Sequence, residues 1–332
     1  MSFPKIIGIG SPLVDVLSNV SEEFLSTEID GAKGGMEMID NDQLTSILDK
    51  LDNKELATGG SAGNTILGLL KLGAPASLLG KIGSDQRGNF YKNTFANAGA
   101  DTSTFKICED TPTGTCVSLV TPDAERTMRP FLGAAMGFSP ADVSVEELEK
   151  FDHAHIEGYV LFNPELAANV LAATKEAKLT VSLDLASFEV VGANKAILPG
   201  ILRNHVDMVF ANEDEAKAFC DSEDPQVALD ALSELCQTAV VKLGPDGAWI
   251  RHMDETVFVD AETVEAIDST GAGDIWASGF IHSMLKGHSP TVAGQIAAKC
   301  GAEVVQIMGA NIPDSTWTKI NEFAKSFKLE NK

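Results

Sequence analysis

The chain has 332 residues, of which 44% are apolar and 22% are charged, and its formal net charge is −23 at pH 7. That length fits one large α/β domain with an appendage, or two domains. Such an acidic chain repels nucleic acid and anionic lipid, and it contains no run of about 18 apolar residues that could span a membrane. The first residues lack the features of a signal peptide. We therefore expect a cytoplasmic protein in which any polyphosphate ligand needs a divalent cation to offset the negative field.

The cysteines and the paired histidines do not indicate a metal site. Five cysteines are scattered without CxxC spacing, at positions 108, 116, 220, 236 and 300. Scattered thiols in odd number are typical of a reduced, cytosolic protein. His153 and His155 alternate along a predicted strand, but the sequence suggests no third ligand nearby, so a metal site there is disfavoured.

Strand-like and helix-like stretches alternate along most of the chain. In chain order, the patterns predict strands over 5–10, 76–83, 153–160, 179–185, 206–212 and 238–244. They predict helices over 43–51, 61–73, 84–99, 164–178, 213–220, 290–309 and 315–327. Such alternation indicates βαβ units and a parallel sheet covered on both faces, with ligands beyond the carboxyl ends of the strands.

Two segments interrupt this alternation. Residues 12–40 show no long helical pattern, and residues 104–131 contain three short strand-like stretches. Both are predicted to be pieces of a small β appendage inserted into the α/β core. The predicted division assigns 15–40 and 105–131 to the appendage, and it assigns to the core residues 1–14, 41–104 and 132–332.

The stretch DSTGAGDIWASGF (268–280) carries the strongest chemical signal. An extended pattern precedes it and a helical period follows Gly273, so Gly271, Ala272 and Gly273 are predicted to form a helix N-terminus. The free N–H groups there would hold a transferring phosphoryl group, while Asp274 in the first turn accepts a hydroxyl proton. A plain glycine-rich turn capped by Asp268 or Asp274 is the alternative.

Two stretches near the N-terminus offer contacts to a polyol. In TGGSAGN (58–64), two glycines precede a helix whose first turn carries Asn64, and an amide both donates to and accepts from hydroxyls. In GIGSPLVD (8–15), Asp15 is predicted just past the first strand, where a carboxylate can bind vicinal hydroxyls. An ordinary helix cap and a solvated loop aspartate are the alternatives.

Two later stretches suit a nucleotide. NEDE (212–215) follows a strand and opens a helix, so Asn212 and Glu215 share a face and could hold a hydrated Mg²⁺ near phosphates. A helix cap with a surface acid is the alternative. VVKLGPDGAWI (240–250) is typical of a strand, a glycine-containing turn and a strand, and such a turn can cradle the phosphates or ribose of a nucleotide.

The order and spacing of these motifs resemble the PfkB (ribokinase-like) family of carbohydrate and nucleoside kinases. The resemblance runs nearly end to end, and DSTGAGDIWASGF fits the C-terminal signature of the family closely. It implies a three-layer α/β/α ribokinase-like core, with a mostly parallel sheet and a β lid that closes over the sugar. The implied reaction is ATP- and Mg²⁺-dependent transfer of a γ-phosphoryl group to a primary hydroxyl of a nucleoside or a sugar.

By position, the resemblance also implies residue roles. Asp274 would be the general base, beside an anion hole of four amides, those of Gly271, Ala272, Gly273 and Asp274. The sugar would contact Asp15, Gly59, Gly60 and Asn64. Mg²⁺, through water, would be placed by Asn212 and Glu215. ATP would contact Asn212, Lys242, Gly244, Gly247, Thr270, Gly271 and Gly273.

Some members of the family also bind K⁺ near the start of the signature. In this chain the K⁺ ligands would be Asp268, Thr270 and the segment near Gly309. The sequence leaves K⁺ binding open.

Within the family, the chain is most similar to the adenosine-kinase-like branch through GSPLVD (10–15), TPTGTC (111–116) and IEGYVLF (156–162). That branch tends to have consecutive aromatics after the glycine of the last stretch, but here Tyr159, the predicted base contact, is followed by Val160. Glu157 either binds sugar hydroxyls or is a buried strand-end acid. Arg129 either steadies a phosphate from the lid or is a surface arginine.

The acceptor and the oligomeric state stay open. Adenosine, another nucleoside, ribose and other sugars are all compatible with the motifs, and so are a monomer and a homodimer through the lid. A non-catalytic family member that binds a sugar or nucleoside is disfavoured by the intact set from Asp268 to Asp274. A dinucleotide-binding dehydrogenase is disfavoured because no GxGxxG follows the first strand.

Overall fold

The computed structural model describes residues 3–123 and 125–329. Its strands are β1 (Ile6–Ile9), β2 (Leu13–Asn19), β3 (Glu55–Gly59), β4 (Ala76–Gly83), β5 (Phe105–Cys108), β6 (Thr115–Val120), β7 (Arg126–Phe131), β8 (His153–Glu157), β9 (Thr180–Asp184), β10 (Met208–Asn212), β11 (Thr238–Lys242), β12 (Ala248–His252) and β13 (Glu255–Val259). Its α-helices are α1 (Glu22–Glu28), α2 (Asn41–Lys50), α3 (Ser61–Lys71), α4 (Gln86–Asn97), α5 (Val145–Leu148), α6 (Pro164–Glu176), α7 (Phe188–Asn194), α8 (Leu198–His205), α9 (Glu213–Cys220), α10 (Pro225–Ser233), α11 (Ala272–Lys286), α12 (Pro290–Val304) and α13 (Asp314–Ser326). Within this part of the chain, none of the helices has the length and apolarity needed to cross a membrane.

The large sheet has the strand order β13-β12-β11-β10-β9-β8-β1-β4-β5. From β11 to β5 all neighbouring strands pair in parallel, and only the edge strands β12 and β13 pair antiparallel. Successive strand residues belong to different apolar clusters: Ile7 and Val209 pack on one face, Ile6 and Phe210 on the other. Because helices cover both faces, the fold is the predicted three-layer α/β/α arrangement.

The small sheet has the strand order β3-β2-β6-β7. Apolar residues of α1 and α2 pack on one face of it, against Val117 and Leu119 of β6. From the other face, Arg126 reaches across to Asp268 in the body of the protein, at 3.0 Å. The small sheet is therefore covered by helices on one side and faces the large domain on the other.

The predicted boundary between core and appendage is wrong at two strands and at helix α2, which was assigned to the core but packs on the small sheet. The prediction assigns 105–108 to the appendage, but β5 pairs in parallel with β4 in the large sheet. Phe105 packs edge-on against Tyr91 and Phe95, which anchors β5 in the core. The prediction assigns 55–59 to the core, but β3 pairs antiparallel with β2 in the small sheet. Residues 1–2, 124 and 330–332 of the predicted division lie outside the described residues.

His153 and His155 lie inside the large sheet on β8. Their ring nitrogens form hydrogen bonds of 2.8–2.9 Å with the hydroxyls of Thr180 and Ser182. Burial lowers the pKa of His153 to about 3 and that of His155 to about 4, so both rings are neutral at physiological pH. In the described part of the chain, no cluster of three or more metal-ligating side chains is present.

Candidate active site

The first turns of two helices lie next to each other and are joined at Asp274. Helix α3 begins after Gly60 and α11 after Gly271, and neither has a side-chain cap. The Asp274 carboxylate, in the first turn of α11, accepts hydrogen bonds from Ser61 Oγ at 2.8 Å and from Asn64 Nδ2 at 3.0 Å. Both donors lie in the first turn of α3, so TGGSAGN and DSTGAGD form one site. Sequence analysis did not single out Ser61, although it lies inside the motif.

Both helix starts require glycine. The φ angle is +84° at Gly60 and +70° at Gly271, a region that side chains rarely adopt. A Cβ on Gly60 would collide with the carbonyl oxygen of Ser11. A Cβ on Gly271 would lie 2.5 Å from Cβ of Ala310. The two turns are thus packed closely against neighbouring loops, which holds the first turns of both helices in place.

The electrostatic surroundings of Asp274 suit a proton acceptor. Burial raises the pKa of Asp274 to about 6; the hydrogen bond from Asn64 opposes this shift, and the Asp184 charge adds to it. The group is therefore mostly ionised at neutral pH but holds a proton more strongly than an ordinary aspartate. Asn64 Oδ1 is buried and has no hydrogen-bond partner in the described part of the chain. That oxygen remains available to a hydroxyl donor beside Asp274.

The N-terminus of α11 keeps donors for an anion. Within residues 3–123 and 125–329, the N–H groups of Gly273 and Asp274 donate to no acceptor. Ala272, predicted as another free donor, instead donates to the carbonyl oxygen of Ser269 at 3.1 Å, because the left-handed Gly271 turns the chain back on itself. A Cβ on Gly273 would lie 3.0 Å from Nζ of Lys242. Free N–H groups and an ammonium thus border the same space, as an anionic phosphoryl group requires.

Lys242 pairs with an acid that the sequence analysis missed. Asp184, the last residue of β9, accepts a hydrogen bond from Lys242 Nζ at 2.8 Å, and both side chains are largely buried. Burial would raise the pKa of Asp184, but Lys242 outweighs it and holds that pKa below its usual value. Burial alone would lower the pKa of Lys242, but the charges of Asp184 and Glu215 outweigh burial and raise that pKa. The available signal was the position of Asp184 at the carboxyl end of a buried parallel strand.

Asn212 and Glu215 cap each other at the start of α9. The Glu215 N–H donates to Asn212 Oδ1 at 2.9 Å, and Asn212 Nδ2 donates to Glu215 Oε1 at 2.8 Å. The helix-cap alternative is therefore present, but the acid is not on the surface: Glu215 is 2% exposed. Burial and the Asp184 charge raise its pKa to about 7.

The donor set around Lys242 fits a divalent cation held through water. Three carboxylates, those of Asp184, Glu215 and Asp274, act on the single ammonium of Lys242. Three negative charges and one positive charge leave a net charge of −2 when all four groups are ionised. Because the Asn212 and Glu215 side chains are already bonded to each other, they would reach Mg²⁺ through its own waters.

A cleft with a volume of about 800 Å³ runs from the N-terminus of α11 between α9 and α12. The predicted ATP contacts that line it are Asn212, Lys242, Gly244, Gly247 and Gly273. Apolar residues, among them Val259, Trp276 and Val305, form its deeper wall. Thr270 and Gly271, also predicted to contact ATP, are not among its described lining residues. A cleft with an apolar wall that ends at free N–H groups and an ammonium matches a nucleotide with its base on that wall and its phosphates at the helix start.

Asp15 lies beside the start of α3, in a strand and not in a loop. The solvated-loop alternative is wrong, because the chain enters the small sheet soon after β1 and Asp15 is the third residue of β2. It is 8% exposed. Burial raises its pKa to about 6, although the Arg126 charge opposes the shift. A Cβ on Gly59 would lie 2.6 Å from the Asp15 carboxylate, so this acid sits directly beside the two glycines that precede α3.

Of the two alternatives for Glu157, the structure favours the buried acid at the end of a strand, here β8. It is 1% exposed, and its carboxylate accepts hydrogen bonds from the N–H groups of Ser11 at 2.7 Å and Ala62 at 3.1 Å. Burial raises its pKa to about 7, against the effect of both bonds. Both carboxylate oxygens serve the backbone, so the contact to sugar hydroxyls is not favoured.

Arg129 is neither a phosphate contact nor a surface arginine. It is fully buried in the small sheet, and its guanidinium donates to the carbonyl oxygens of Asp30, Gly35 and Met128. These bonds hold the segment after α1 against β7. Sequence analysis could not see them, since backbone carbonyls leave no signature in the sequence.

Tyr159 lies at the edge of the site. Its ring is 38% exposed and stands 6.3 Å from that of Phe162. Burial, followed by the charges of Glu157 and Asp274, raises the pKa of its hydroxyl to about 12. Val160, the next residue, is buried. The site therefore presents one half-exposed aromatic face in this stretch, rather than two consecutive ones.

The three predicted K⁺ positions are brought together, and Arg126 lies among them. Asp268 Oδ2 accepts the N–H of Gly309 at 2.8 Å, and Asp268 Oδ1 accepts the Thr270 hydroxyl at 2.7 Å. Arg126 Nη1 donates to Asp268 Oδ2 at 3.0 Å and also to the Thr270 hydroxyl. Sequence analysis missed Arg126; an arginine on a predicted appendage strand was the only signal.

Comparisons with known proteins agree with this geometry. The family model described as pfkB family carbohydrate kinase matches residues 36–317. The chain is 26% identical over 341 residues to adenosine kinase of Saccharomyces cerevisiae, covering 94% of this chain and 98% of that protein. It is 29% identical over 248 residues to ATP-dependent ribose-1-phosphate kinase of Halopiger xanaduensis, covering 74% and 79% respectively. The structure of adenosine kinase from Sinorhizobium meliloti superimposes with a TM-score of 0.85 at 28% identity, covering 97% of this chain and 99% of that one.

Proposed function

The chain belongs to the PfkB family of carbohydrate kinases, and we propose that it phosphorylates the primary hydroxyl of a nucleoside, with Asp274 as the general base. In coarser terms, it is a phosphotransferase with an alcohol acceptor, a kinase that acts on a nucleoside or a sugar. The observation that carries the residue assignment is the position of Asp274. Its carboxylate touches the first turn of α3 on one side and lies beside the free N–H groups of α11 on the other.

The proposed step uses these two sides separately. The acceptor hydroxyl, held near Asn64 and Asp15, gives its proton to Asp274 while its oxygen bonds to the γ-phosphorus of ATP. The bond from that phosphorus to the bridging oxygen breaks, and ADP leaves. The N–H groups of Gly273 and Asp274, with the Lys242 ammonium, stabilise the charge on the transferring group. Mg²⁺, placed through water by Asn212 and Glu215, would neutralise charge on the ATP phosphates.

A nucleoside acceptor is supported by the surroundings of Tyr159. Its half-exposed ring beside Phe162 offers a base a flat aromatic face at the edge of the site. Glu157, the residue that would favour a free sugar, uses its carboxylate to hold Ser11 and Ala62.

A sugar kinase is the second candidate. The specific observation in its favour is that Val160 is buried, so the aromatic wall has a single member in this stretch. The acceptor contacts at Asp15, Gly59, Gly60 and Asn64 would serve a free sugar equally well.

The small sheet would act as a lid on a monomer. Its outer face is covered by α1 and α2, which removes the sheet surface through which a homodimer would form. Its inner face carries Asp15 over the acceptor side, so closure would shield the reacting groups from water. A cytoplasmic location belongs to the same proposal, supported by the need for ATP and by five cysteines that stand as free thiols.

The test is ADP release with Mg·ATP across a panel of nucleosides and free sugars. Turnover on nucleosides supports the proposal, and turnover only on free sugars selects the second candidate. Calorimetric binding of a sugar or nucleoside with no ADP release in any condition would instead identify a non-catalytic binding protein. Light scattering of the same sample checks the monomer.

A further inference from the structure

Arg126 occupies the position at which a monovalent cation is expected. Asp268, Thr270 and Gly309 converge, but the groups that they present do not form a set of oxygen ligands around free space. Gly309 turns its N–H towards Asp268, and the Thr270 hydroxyl donates its proton to the same carboxylate. The Arg126 guanidinium lies between these groups and donates hydrogen bonds to both Asp268 and Thr270.

The Asp268 carboxylate is already paired with Arg126, whose charge also acts on Asp15. The side chains of Asp268 and Arg126 are 9% and 11% exposed, so their attraction is poorly screened. Hydrogen bonds from Gly309 and Thr270, with the Arg126 charge, outweigh the effect of burial and hold the pKa of Asp268 below its usual value. A potassium ion would meet a permanent guanidinium charge at the same carboxylate. The residues present therefore do not fit K⁺.

The guanidinium also links two parts of the molecule. Its Nη2 donates to Ser118 Oγ at 2.7 Å, so it is anchored on β6 as well as on its own strand β7. Asp268 begins the loop that runs through Ser269, whose carbonyl oxygen accepts the Ala272 N–H, to the left-handed Gly271. A bond from the small sheet to Asp268 thus acts on the loop that orients the first turn of α11.

We propose that Arg126 is a built-in cation that replaces K⁺ at the Asp268–Thr270 loop and positions the anion hole from the small sheet. It is a positioning residue, since its contacts are with the loop and not with the reacting groups. This inference rests on the proposed phosphotransfer, and it makes the enzyme independent of K⁺. It also couples closure of the small sheet to the geometry of the phosphoryl site.

The first measurement is turnover of the unaltered protein in KCl and in tetramethylammonium chloride at equal ionic strength. The expected rates agree within about twofold. Activation by K⁺ of about fivefold or more would overturn the proposal, because a cation site would then be open beside Arg126.

The second measurement uses Arg126→Ala. We expect kcat to fall by about 10²-fold with a smaller change in KM, and K⁺ or guanidinium ion to restore about tenfold of the loss. Arg126→Lys, which keeps the charge, should fall less and stay independent of K⁺. The matched control is Arg251→Ala, which removes a partly exposed ion pair between Arg251 of β12 and Asp230 of α10 and should change neither rate nor K⁺ response. Full activity of Arg126→Ala, or a loss that neither cation relieves, would contradict the proposal.

Thermal unfolding separates this inference from the kinase assignment. In Arg126→Ala, K⁺ should raise the Tm by about 2 °C over tetramethylammonium, whereas the unaltered protein should show no such difference. If no acceptor supports turnover, this readout still decides the role of Arg126. Equal Tm responses in the two proteins would overturn it even for an active kinase.

Discussion

Helices α3 and α11 start in the same way and serve opposite purposes. Each begins at a glycine with positive φ and without a side-chain cap. At α3, the buried Glu157 carboxyl group accepts the Ala62 N–H, so an acid already lies at this helix start. The N–H groups of Ser61 and Gly63 donate to no acceptor within residues 3–123 and 125–329. At α11, the N–H groups of Gly273 and Asp274 donate to no acceptor in the described part of the chain, and the ammonium of Lys242 lies beside Gly273.

The difference shows how one local motif becomes two kinds of site. A resident acid makes a helix start less attractive to a phosphate, and the side chains of Ser61 and Asn64 donate to Asp274 instead. A helix start that is left open, with a cation beside it, attracts the anion. Acceptor and phosphoryl group are thus directed to different helices, and Asp274 stands where the two meet.

Removing the charge of Asp274, which lies between the two helix starts, should have the largest effect on kcat. Asp274→Asn keeps the hydrogen-bonding shape but cannot accept a proton, so kcat should fall by about 10² to 10⁴-fold with the fold intact. Steady-state ADP release and circular dichroism measure the two quantities. Asp42→Asn is the matched control, since Asp42 is also a first-turn acid, in α2, but exposed. Near-normal turnover of Asp274→Asn would remove Asp274 from the mechanism.

Removing the cation beside the open helix should cost both rate and stability. Lys242→Met takes away the ammonium at Gly273 and should lower kcat by about 10²-fold. It also leaves Asp184 buried without its partner, which should lower the free energy of unfolding by about 3 kcal/mol. Urea unfolding and ADP release follow the two effects.

A double variant separates the two roles of Lys242. Asp184→Asn together with Lys242→Met removes the carboxylate that pairs directly with the ammonium, so part of the stability should return while the rate stays low. Recovery of the rate in the double variant would show that Lys242 matters only as the partner of Asp184.

Adding a methyl group at Gly273, in the first turn of α11, should produce a smaller effect that is confined to the kinetics. Gly273→Ala places a methyl group 3.0 Å from Lys242 Nζ, at a residue without positive φ, so the backbone is not strained. We expect kcat/KM for ATP to fall by about tenfold with no loss of stability, since alanine favours helix over glycine by about 1 kcal/mol. Gly200→Ala in α8, which meets open space, is the control and should leave kcat/KM unchanged. Equal kinetics for the two variants would argue against a phosphoryl group at Gly273.

Substituting Glu157, the acid at the start of α3, should affect mainly the pH dependence of the free energy of unfolding. The pKa of Glu157 is raised from 4.5 to about 7 in the folded protein. Between pH 4.5 and 7 the folded protein therefore keeps a proton on Glu157 that the unfolded chain has already lost. The free energy of unfolding that comes from this proton is lost as pH rises from about 4.5 to 7. Glu157→Gln lacks this proton, so its free energy of unfolding should fall less steeply with pH, by up to about 1.4 kcal/mol per unit.

Urea unfolding between pH 5.5 and 7.5 measures that slope. Glu165→Gln, an exposed first-turn acid in α6, is the control and should follow the unaltered protein. A slope for Glu157→Gln as steep as that of the control would show that Glu157 ionises normally.

The predicted elements that the structure confirms are those with long, regular patterns. The strands of the large sheet from β8 to β11 and helices α3, α6 and α9 lie close to their predicted bounds. The short helices α7 and α8, of seven and eight residues, were missed, whereas α9, also of eight residues, was predicted because the polar stretch NEDE directly follows a strand and marks its start. The residues of β3 were assigned to the core and those of β5 to the appendage, both wrongly, since pairing partners depend on contacts distant in sequence.

For the candidate site, sequence analysis named residues whose type and local position are sufficient to suggest chemistry. Asp274 and Asn64 were predicted in the first turns of two helices, and the structure places them there, 3.0 Å apart. Asp184 and Arg126 were not named, because an aspartate at a strand end or an arginine on a short strand is common. Only their partners, Lys242 and Asp268, give them a role.

The sequence by itself determined the α/β class, the family resemblance and the two glycine-led helix starts, because these depend on local pattern and spacing. The tertiary structure alone decided which start has an acid beside it and which has a cation. That choice depends on Glu157 of β8 reaching α3, and on Lys242 of β11 reaching α11. It likewise decided that a guanidinium from the small sheet, and not a free position for a cation, faces Asp268. Charges act through space, and chain folding decides which of them become neighbours.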